Sequence, residues 1–120
     1  MAFADPAAIK GYHAHIYYDP AKTKPVAAKL REGIATAFPA VTIGSWHDEA
    51  VGPHAVSMYQ VVFSTEEFAR IVPWLMLNRD GLDVLVHPLA GSAYDDHTIY
   101  AVWLGDKQPL RLDVLKRAAA

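Results

Sequence analysis

The chain has 120 residues, is 52% hydrophobic and carries a formal net charge of −2 at pH 7. A chain of this length can bury one core, so we expect a single domain over residues 1–120. The weak negative charge argues against nucleic acid and anionic membranes as partners, and the absence of cysteine excludes disulfides and thiolate metal ligands.

The N-terminal segment, residues 1–10, contains Pro6 and several alanines without a clear period. It lacks the basic start and the apolar centre of a secretory signal peptide. No stretch of the sequence approaches the roughly 20 apolar residues that span a bilayer. We therefore expect a cytoplasmic protein without a membrane partner.

Residues 12–18 have the composition of a β-strand and contain two histidines two positions apart. Because side chains alternate along a strand, His13, His15 and Tyr17 share one face, and the opposite face is mostly apolar. Two histidines on one face lie roughly 7 Å apart, a separation from which both rings can reach one metal ion. The pattern predicts a metal site, with solvent-exposed imidazoles as the alternative.

The rest of the sequence alternates between helical and strand patterns. Apolar residues at every fourth position predict a helix from Thr23 to Phe38, and a second helix follows the capping sequence that begins at Ser64. Further strands are predicted at residues 41–46, 56–63, 82–87 and 97–104. The order matches an α+β fold, a ferredoxin-like βαββαβ antiparallel sheet with an added C-terminal strand and two helices on one face.

This topology predicts where the histidines meet. The first strand lies between the third and the fourth, so His13 lies beside His87, and His97 begins the fifth strand at the same end. We expect these three histidines to converge with His15. His54 opens the third strand at the opposite end, so it joins them only if its loop folds over or a second subunit supplies it.

Four histidines from three strands predict a metal or catalytic site rather than scattered structural histidines. Two histidines with one carboxylate would match the non-haem Fe(II) oxygenases. The carboxylate could come from Glu49, Asp95 or Asp96. A set made only of imidazoles would suit zinc, copper or iron.

Several motifs together resemble the DOPA 4,5-dioxygenase family of fungi and bacteria. They occur in this order: YHAHIYYD at 12–19, GPH at 52–54, LNR at 77–79, VHPLAG at 86–91, and DH at 96–97 followed by AVWLG at 101–105. The sequence departs from the family pattern at Ala55, where proline is expected, and at Ala90, where threonine is expected. Both changes could reshape a pocket without removing a metal ligand.

The resemblance implies an extradiol ring-cleaving dioxygenase that uses non-haem Fe(II), or another divalent metal in a purified form. Its substrates would be O2 and L-DOPA or a related catechol. Cleavage at the 4,5 position would give seco-DOPA, which cyclises to betalamic acid.

The matching motifs also imply which residues function. They are five histidines: His13, His15, His54, His87 and His97. Catechol and O2 must share the metal with the protein, so the protein fills about three positions, for which we expect His13, His15 and His87. His97 or His54 would then act as the acid/base group. The predicted substrate-binding side chains are Arg79, Tyr12 and Tyr17.

Two further expectations concern the fold. The sheet face without helices would carry Val56, Met58 and Val62, and such an apolar face would be covered in a homodimer. A fold does not decide function, so a non-enzymatic module that binds a metal or a small aromatic molecule is the alternative to an enzyme.

Overall fold

The computed structural model describes residues 2–115 of the chain. A short 3₁₀ helix at Pro6–Ala8 precedes the main elements. The strands are β1 (Tyr12–Tyr17), β2 (Thr42–Ile43), β3 (Met58–Phe63), β4 (Val84–Pro88) and β5 (Val102–Leu104). The helices are α1 (Lys24–Ala37), α2 (Thr65–Asn78) and α3 (Ala93–His97).

The strands form an antiparallel sheet in the order β2-β3-β1-β4-β5. The central strand, β1, pairs with β3 on one side and with β4 on the other, as the ferredoxin-like prediction requires. In this register His13 lies opposite Val62 of β3 and opposite His87 of β4. The predicted fold class, with its added C-terminal strand, is confirmed.

The larger core lies between the sheet and the helices α1 and α2. Leu30 and Ile34 of α1 and Ile71 and Leu75 of α2 are buried against strand residues such as Val61. The i, i+4 spacing of these residues places them on one stripe of each helix, which explains why both helices pack on the same face. Within residues 2–115, no helix is both long enough and apolar enough to cross a bilayer.

The opposite face of the sheet carries the histidines and a smaller apolar cluster. Tyr17, Met58 and Leu85 are buried in it, and partly buried side chains from two loops and β5 pack against them: Val51, Val56, Ala101, Trp103 and Leu110. The loop before β3 and the segment after β5 meet there, because the Arg111 backbone N–H donates to the Pro53 carbonyl at 2.7 Å. The chain's own loops therefore cover much of the face that the sequence predicted to be open.

Two predicted strands are shorter in the structure. The second strand was expected over 41–46, but only Thr42–Ile43 is regular; the chain then pairs irregularly with β3 through Gly44 and His47. The fifth strand was expected over 97–104, but it begins at Val102, because residues 93–97 form α3 instead.

Candidate metal centre

Five of the chain's six histidines meet on the face of the sheet opposite the long helices. The ring centroids of His15 and His54 are 4.0 Å apart, as are those of His87 and His97. His13 completes the cluster, with its ring centroid 5.1 Å from that of His87. The predicted convergence of His13, His15, His87 and His97 is present, and His54 joins them.

The shortest contact in the cluster joins His15 Nε2 and His87 Nε2 at 3.0 Å. Two nitrogens bound to one ion at about 2.1 Å, and at a right angle, would be about 3.0 Å apart. His87 Nδ1 lies 3.0 Å from the Pro88 carbonyl oxygen, to which it donates, so the His87 Nε2 carries a lone pair. An ion bound by both nitrogens would take the place of the proton that His15 shares with His87.

Two groups of three histidines have ligand atoms that all lie within 4.8 Å of one another: His13, His15 and His87, and His15, His54 and His97. The first group is the set predicted from the sequence to hold the metal. Both groups contain His15, so together they comprise five histidines. Buried histidines at these separations fit a transition-metal ion, and their geometry does not identify the element.

Neither histidine group includes a carboxylate among residues 2–115. Of the three carboxylates considered from the sequence, Asp96 is buried and accepts the Ala90 backbone N–H with both oxygens at 3.2 Å. That contact joins α3 to the loop after β4. The set of donors on this face is therefore made of imidazoles.

Burial keeps the clustered histidines neutral. Burial, and after it the neighbouring histidines, lower the pKa of His87 to about 3 and that of His54 to about 4. The pKa of His15 is well below its usual range for the same reasons, and the pKa values of His13 and His97 are also lowered, mainly by burial. A neutral imidazole is the form that binds a metal, so this environment favours metal-binding imidazoles over protonated imidazolium rings.

His54 reaches the cluster within one chain, because its loop folds over the sheet, which is one of the two alternatives that the sequence left open. Val51 and His54 exchange backbone hydrogen bonds across a tight turn at Gly52-Pro53. Gly52 has a φ of 53°, a left-handed conformation that glycine adopts readily. The turn folds the loop back over the sheet and places His54 above His15.

His97 is in the cluster, but it arrives on a helix and not on the fifth strand. Ser92 caps α3 by accepting the Asp95 backbone N–H, and Asp95 and Asp96 lie in its first turn. A serine cap followed by acidic residues is a helix start signal that was present in the sequence. The helix ends at His97, whose Nδ1 donates to the Ala93 carbonyl at 2.7 Å.

The three predicted substrate-binding residues lie in different places. The Tyr12 ring is on the helix face, stacked on Phe63 with ring centroids 5.5 Å apart. The Tyr17 hydroxyl lies 2.8 Å from His54 Nδ1. Arg79 lies beside the start of β4, where it donates to the Leu82 carbonyl, whereas His87 lies near the other end of that strand. The structure brings Tyr17 to the cluster and leaves Arg79 away from it.

Two residues around the cluster were not singled out from the sequence as functional. Met58 places its sulfur 3.5 Å from His15 Nδ1, and the ring of Trp103 stacks on that of Tyr17 at 5.8 Å. Both lie on the histidine face by strand alternation and register. Alternation along β3 could have identified Met58 as a neighbour, whereas Trp103 required the pairing of β4 with β5.

A cavity of about 520 Å³ opens beside His87. Its walls are mostly apolar and include Tyr12, Phe68, Val86 and Tyr100. The volume falls within the range of about 300–1,000 Å³ that is usual for small-molecule pockets. Of the clustered histidines only His87 lines this cavity, and Tyr12, Phe68 and Val86 belong to the core on the helix face, so a small molecule in it would reach the cluster at His87 alone.

The match to known proteins covers this whole arrangement. A model of the Dopa 4,5-dioxygenase family matches residues 12–114. The chain belongs to this family. All five clustered histidines lie inside the matched range, and the resemblance drawn from the motifs is confirmed.

The chain covers different shares of the two relatives that it resembles in sequence. An uncharacterised 21.2 kDa protein of Botryotinia fuckeliana is 37% identical over 128 residues, which are 96% of this chain and 70% of that protein. The DOPA 4,5-dioxygenase of Amanita muscaria is 35% identical over 111 residues, which are 87% of this chain and 49% of the enzyme. The chain thus spans about half of the Amanita enzyme.

A solved structure shares both the fold and much of the sequence. The crystal structure of a protein of Nostoc punctiforme, provisionally described as a dioxygenase, is 46% identical. The TM-score is 0.93, and the match covers 97% of this chain and 99% of that one. The family and these relatives indicate an enzyme of the DOPA 4,5-dioxygenase-like type, which uses O2 and an aromatic substrate.

Proposed function

We propose that the protein is a non-haem Fe(II) extradiol dioxygenase that cleaves L-DOPA or a related catechol with O2. Cleavage at the 4,5 position would give seco-DOPA, and cyclisation of that product would give betalamic acid. The observation that carries the proposal is the convergence of five histidines on one sheet face in a member of this family. We also propose a cytoplasmic location, as expected from the sequence.

His13, His15 and His87 are the proposed ligands of the metal. Their ligand atoms lie within 4.8 Å of one another, and His15 and His87 are almost completely buried. Three protein ligands leave positions for a catechol and for O2, which a bound Fe(II) ion would hold side by side. Imidazole ligands without thiolates suit iron, zinc and copper alike. We propose iron because of the resemblance to the DOPA 4,5-dioxygenase family.

His97 and His54 are the proposed acid/base groups. Each has a ring nitrogen within 4.8 Å of one on His15, so both lie beside the proposed ligands without belonging to that set. A group at this place can accept a proton from a catechol hydroxyl or return one to the opened product.

The cavity beside His87 is the proposed site for the body of the substrate. Tyr12 lines it, so Tyr12 remains a candidate substrate-binding residue. Aromatic and apolar walls favour an aromatic ring over a sugar or a nucleotide. Because Arg79 lies away from the cluster and Tyr17 is engaged by His54, neither is proposed as the partner of a substrate carboxylate.

Oxygen consumption tests the proposal. The purified protein would be loaded with Fe(II) without oxygen, and O2 uptake would be measured with L-DOPA, with L-tyrosine as the control that lacks the second hydroxyl. We expect uptake only with the catechol, and a product whose mass equals substrate plus O2, or that mass less one H2O once the product has cyclised to betalamic acid. His47→Ala is the matched protein control, because His47 lies outside both histidine groups.

The alternative is a module that binds a metal or a small aromatic molecule without turnover. The same measurements distinguish it from the enzyme. Stoichiometric metal and saturable catechol binding without O2 uptake would support the module and contradict the dioxygenase. Uptake that does not depend on the metal would contradict both.

A further inference from the structure

The clustered histidines differ in which ring nitrogen is already engaged. His87 Nδ1 lies 3.0 Å from the Pro88 carbonyl oxygen, and His97 Nδ1 lies 2.7 Å from the Ala93 carbonyl oxygen. A carbonyl oxygen only accepts, so in both rings Nδ1 carries the proton. The neutral rings of His87 and His97 therefore offer a lone pair at Nε2.

His54 is held by a hydroxyl instead of a carbonyl. The Tyr17 hydroxyl lies 2.8 Å from His54 Nδ1, and a hydroxyl can either donate or accept. Tyr17 and His54 are each only 3% exposed. Among residues 2–115, His54 Nδ1 is the one hydrogen-bond partner of the Tyr17 hydroxyl. The surroundings of the hydroxyl therefore decide the direction of the bond.

Only one direction satisfies both groups. If His54 Nδ1 donated, the buried hydroxyl hydrogen of Tyr17 would have no acceptor, and an unpaired buried polar group is costly. If Tyr17 donates, Nδ1 accepts, and the proton of the neutral imidazole is on Nε2. The Trp103 ring stacked on Tyr17 holds the phenol in place for this contact.

We propose that Tyr17 is a positioning residue that holds His54 in the Nε2–H tautomer, so that His54 presents a hydrogen-bond donor and not a metal ligand to the cluster. Its Nδ1 is occupied by Tyr17 and its Nε2 is protonated, which removes His54 from the group with His15 and His97. The group of His13, His15 and His87 then remains for a metal. This step deepens the proposed function, and the use of the donor rests on that function.

The donor and the acceptor lie close together, since the ring centroids of His54 and His97 are 5.8 Å apart. His97 offers a lone pair at Nε2, and His54 offers a hydrogen. Extradiol cleavage adds both atoms of O2 to the catechol with no net change in protons. A proton that His97 takes from a catechol hydroxyl is therefore returned by His97 to the opened product, while the Nε2–H of His54 stays in place and donates a hydrogen bond to the reacting oxygens.

Nitrogen-15 NMR of the metal-free protein labelled at histidine tests the tautomers directly. We expect His54 to be protonated at Nε2, and His97 to be protonated at Nδ1. In Tyr17→Phe we expect His54 to populate both tautomers while His97 is unchanged. Tyr18→Phe is the matched control, because the Tyr18 hydroxyl donates to Asp48 at 2.6 Å and not to a histidine. A His54 protonated at Nδ1, or one unaffected by Tyr17→Phe, would overturn the proposal.

Metal content and kinetics give the second readout. Tyr17→Phe should bind iron as the unsubstituted protein does, with kcat reduced about tenfold to a hundredfold, as is typical of outer hydrogen-bond partners, and with KM nearly unchanged. Lost iron would place His54 among the ligands and overturn the proposal. If the unsubstituted protein showed the expected tautomers but no catechol-dependent O2 uptake, the proposed function would fail and the role of Tyr17 in fixing the tautomer would stand.

Discussion

His15 is the residue on which both possible metal groups depend. His15→Ala should therefore reduce bound metal severely, whichever group holds the ion. Loss of an outer hydrogen-bond partner alone typically costs 10–100-fold in metal affinity, so loss of a ligand should cost at least about that much. Metal analysis of the purified variant checks this, with His47→Ala as the control. Full occupancy in His15→Ala would remove His15 from the ligand set.

His97 and His54 should separate turnover from metal binding. His97→Gln should retain iron and lose turnover, because glutamine cannot accept and redeliver a proton. His54→Gln should also retain iron and lose turnover, because glutamine does not hold an N–H at the position that Tyr17 fixes for His54 Nε2. General acid/base groups contribute about 10²–10⁴-fold, so kcat should fall by that order. Iron content and O2 consumption with L-DOPA would be measured on the same samples. Loss of iron in either variant would make that histidine a ligand.

Burial of the histidines also predicts how the free energy of unfolding depends on pH. In the metal-free protein the pKa of His87 is lowered by burial to about 3, against 6.5 for an exposed histidine. Below pH 6.5 the unfolded chain binds the proton and the folded chain does not, so the free energy of unfolding should fall as the pH drops from 7 to 5. The slope for one such histidine approaches about 1.4 kcal/mol per pH unit.

Urea unfolding at several pH values measures that slope. His87→Gln should show a shallower dependence than the unsubstituted protein, since one lowered pKa has been removed. A free energy of unfolding that is constant between pH 7 and pH 5 would mean that the folded cluster takes up protons as easily as the unfolded chain.

At the scale of the elements, the local patterns in the sequence predicted most of the fold. Strand alternation put His13 and His15 on one face and Ala14 and Ile16 in the core, as the structure confirms. Apolar spacing predicted α1 and α2, and the βαββαβ order then determined the neighbours of β1. The facing pair His13 and His87 follows from topology alone, because β4 must pair antiparallel with β1.

The parts that the sequence left open or missed depend largely on contacts between segments distant in the sequence. His54 turns back over the sheet through Gly52 and is held by a bridge to Leu110, and nothing local to residues 47–57 specifies that partner. For His97 the sequence carries a helix start at Ser92, but the run from His97 to Leu104 also fits a strand, and local pattern alone does not decide between the two. Long loops often carry functional residues, and local sequence patterns predict their conformation poorly.

The short helix α3 should depend on one buried carboxylate. Asp96→Ala leaves the Ala90 backbone N–H without the two oxygens that now accept it, and an unsatisfied group of this kind costs about 1–3 kcal/mol. We expect a loss of this order in the free energy of unfolding, measured by urea titration. Asp95→Ala, at the more exposed neighbour, should cost less. Equal losses would show that the acidic first turn, and not the contact with Ala90, holds α3.

At the scale of the whole molecule, the main apolar core and the histidine cluster lie on opposite faces of the sheet. One face packs on α1 and α2 in a continuous apolar core, while the other face carries the histidines under two loops. The homodimer was expected because this second face would expose apolar residues. The two loops weaken that argument, because Met58 is buried within one chain and Val56 is partly buried. Any dimer must use a surface that the fold leaves exposed.

The edge of the sheet at β5 is such a surface. Ile99, Tyr100 and Val102 are exposed there, and an edge strand also presents unpaired backbone groups to a second chain. The predicted homodimer should therefore form through this edge, and Ile99→Asp should convert it to a monomer in light scattering at micromolar concentration. Leu77→Asp is the matched control, because Leu77 is an equally large exposed residue on α2. An unsubstituted protein that is monomeric, or a dimer that survives Ile99→Asp, would show that this edge does not join two chains.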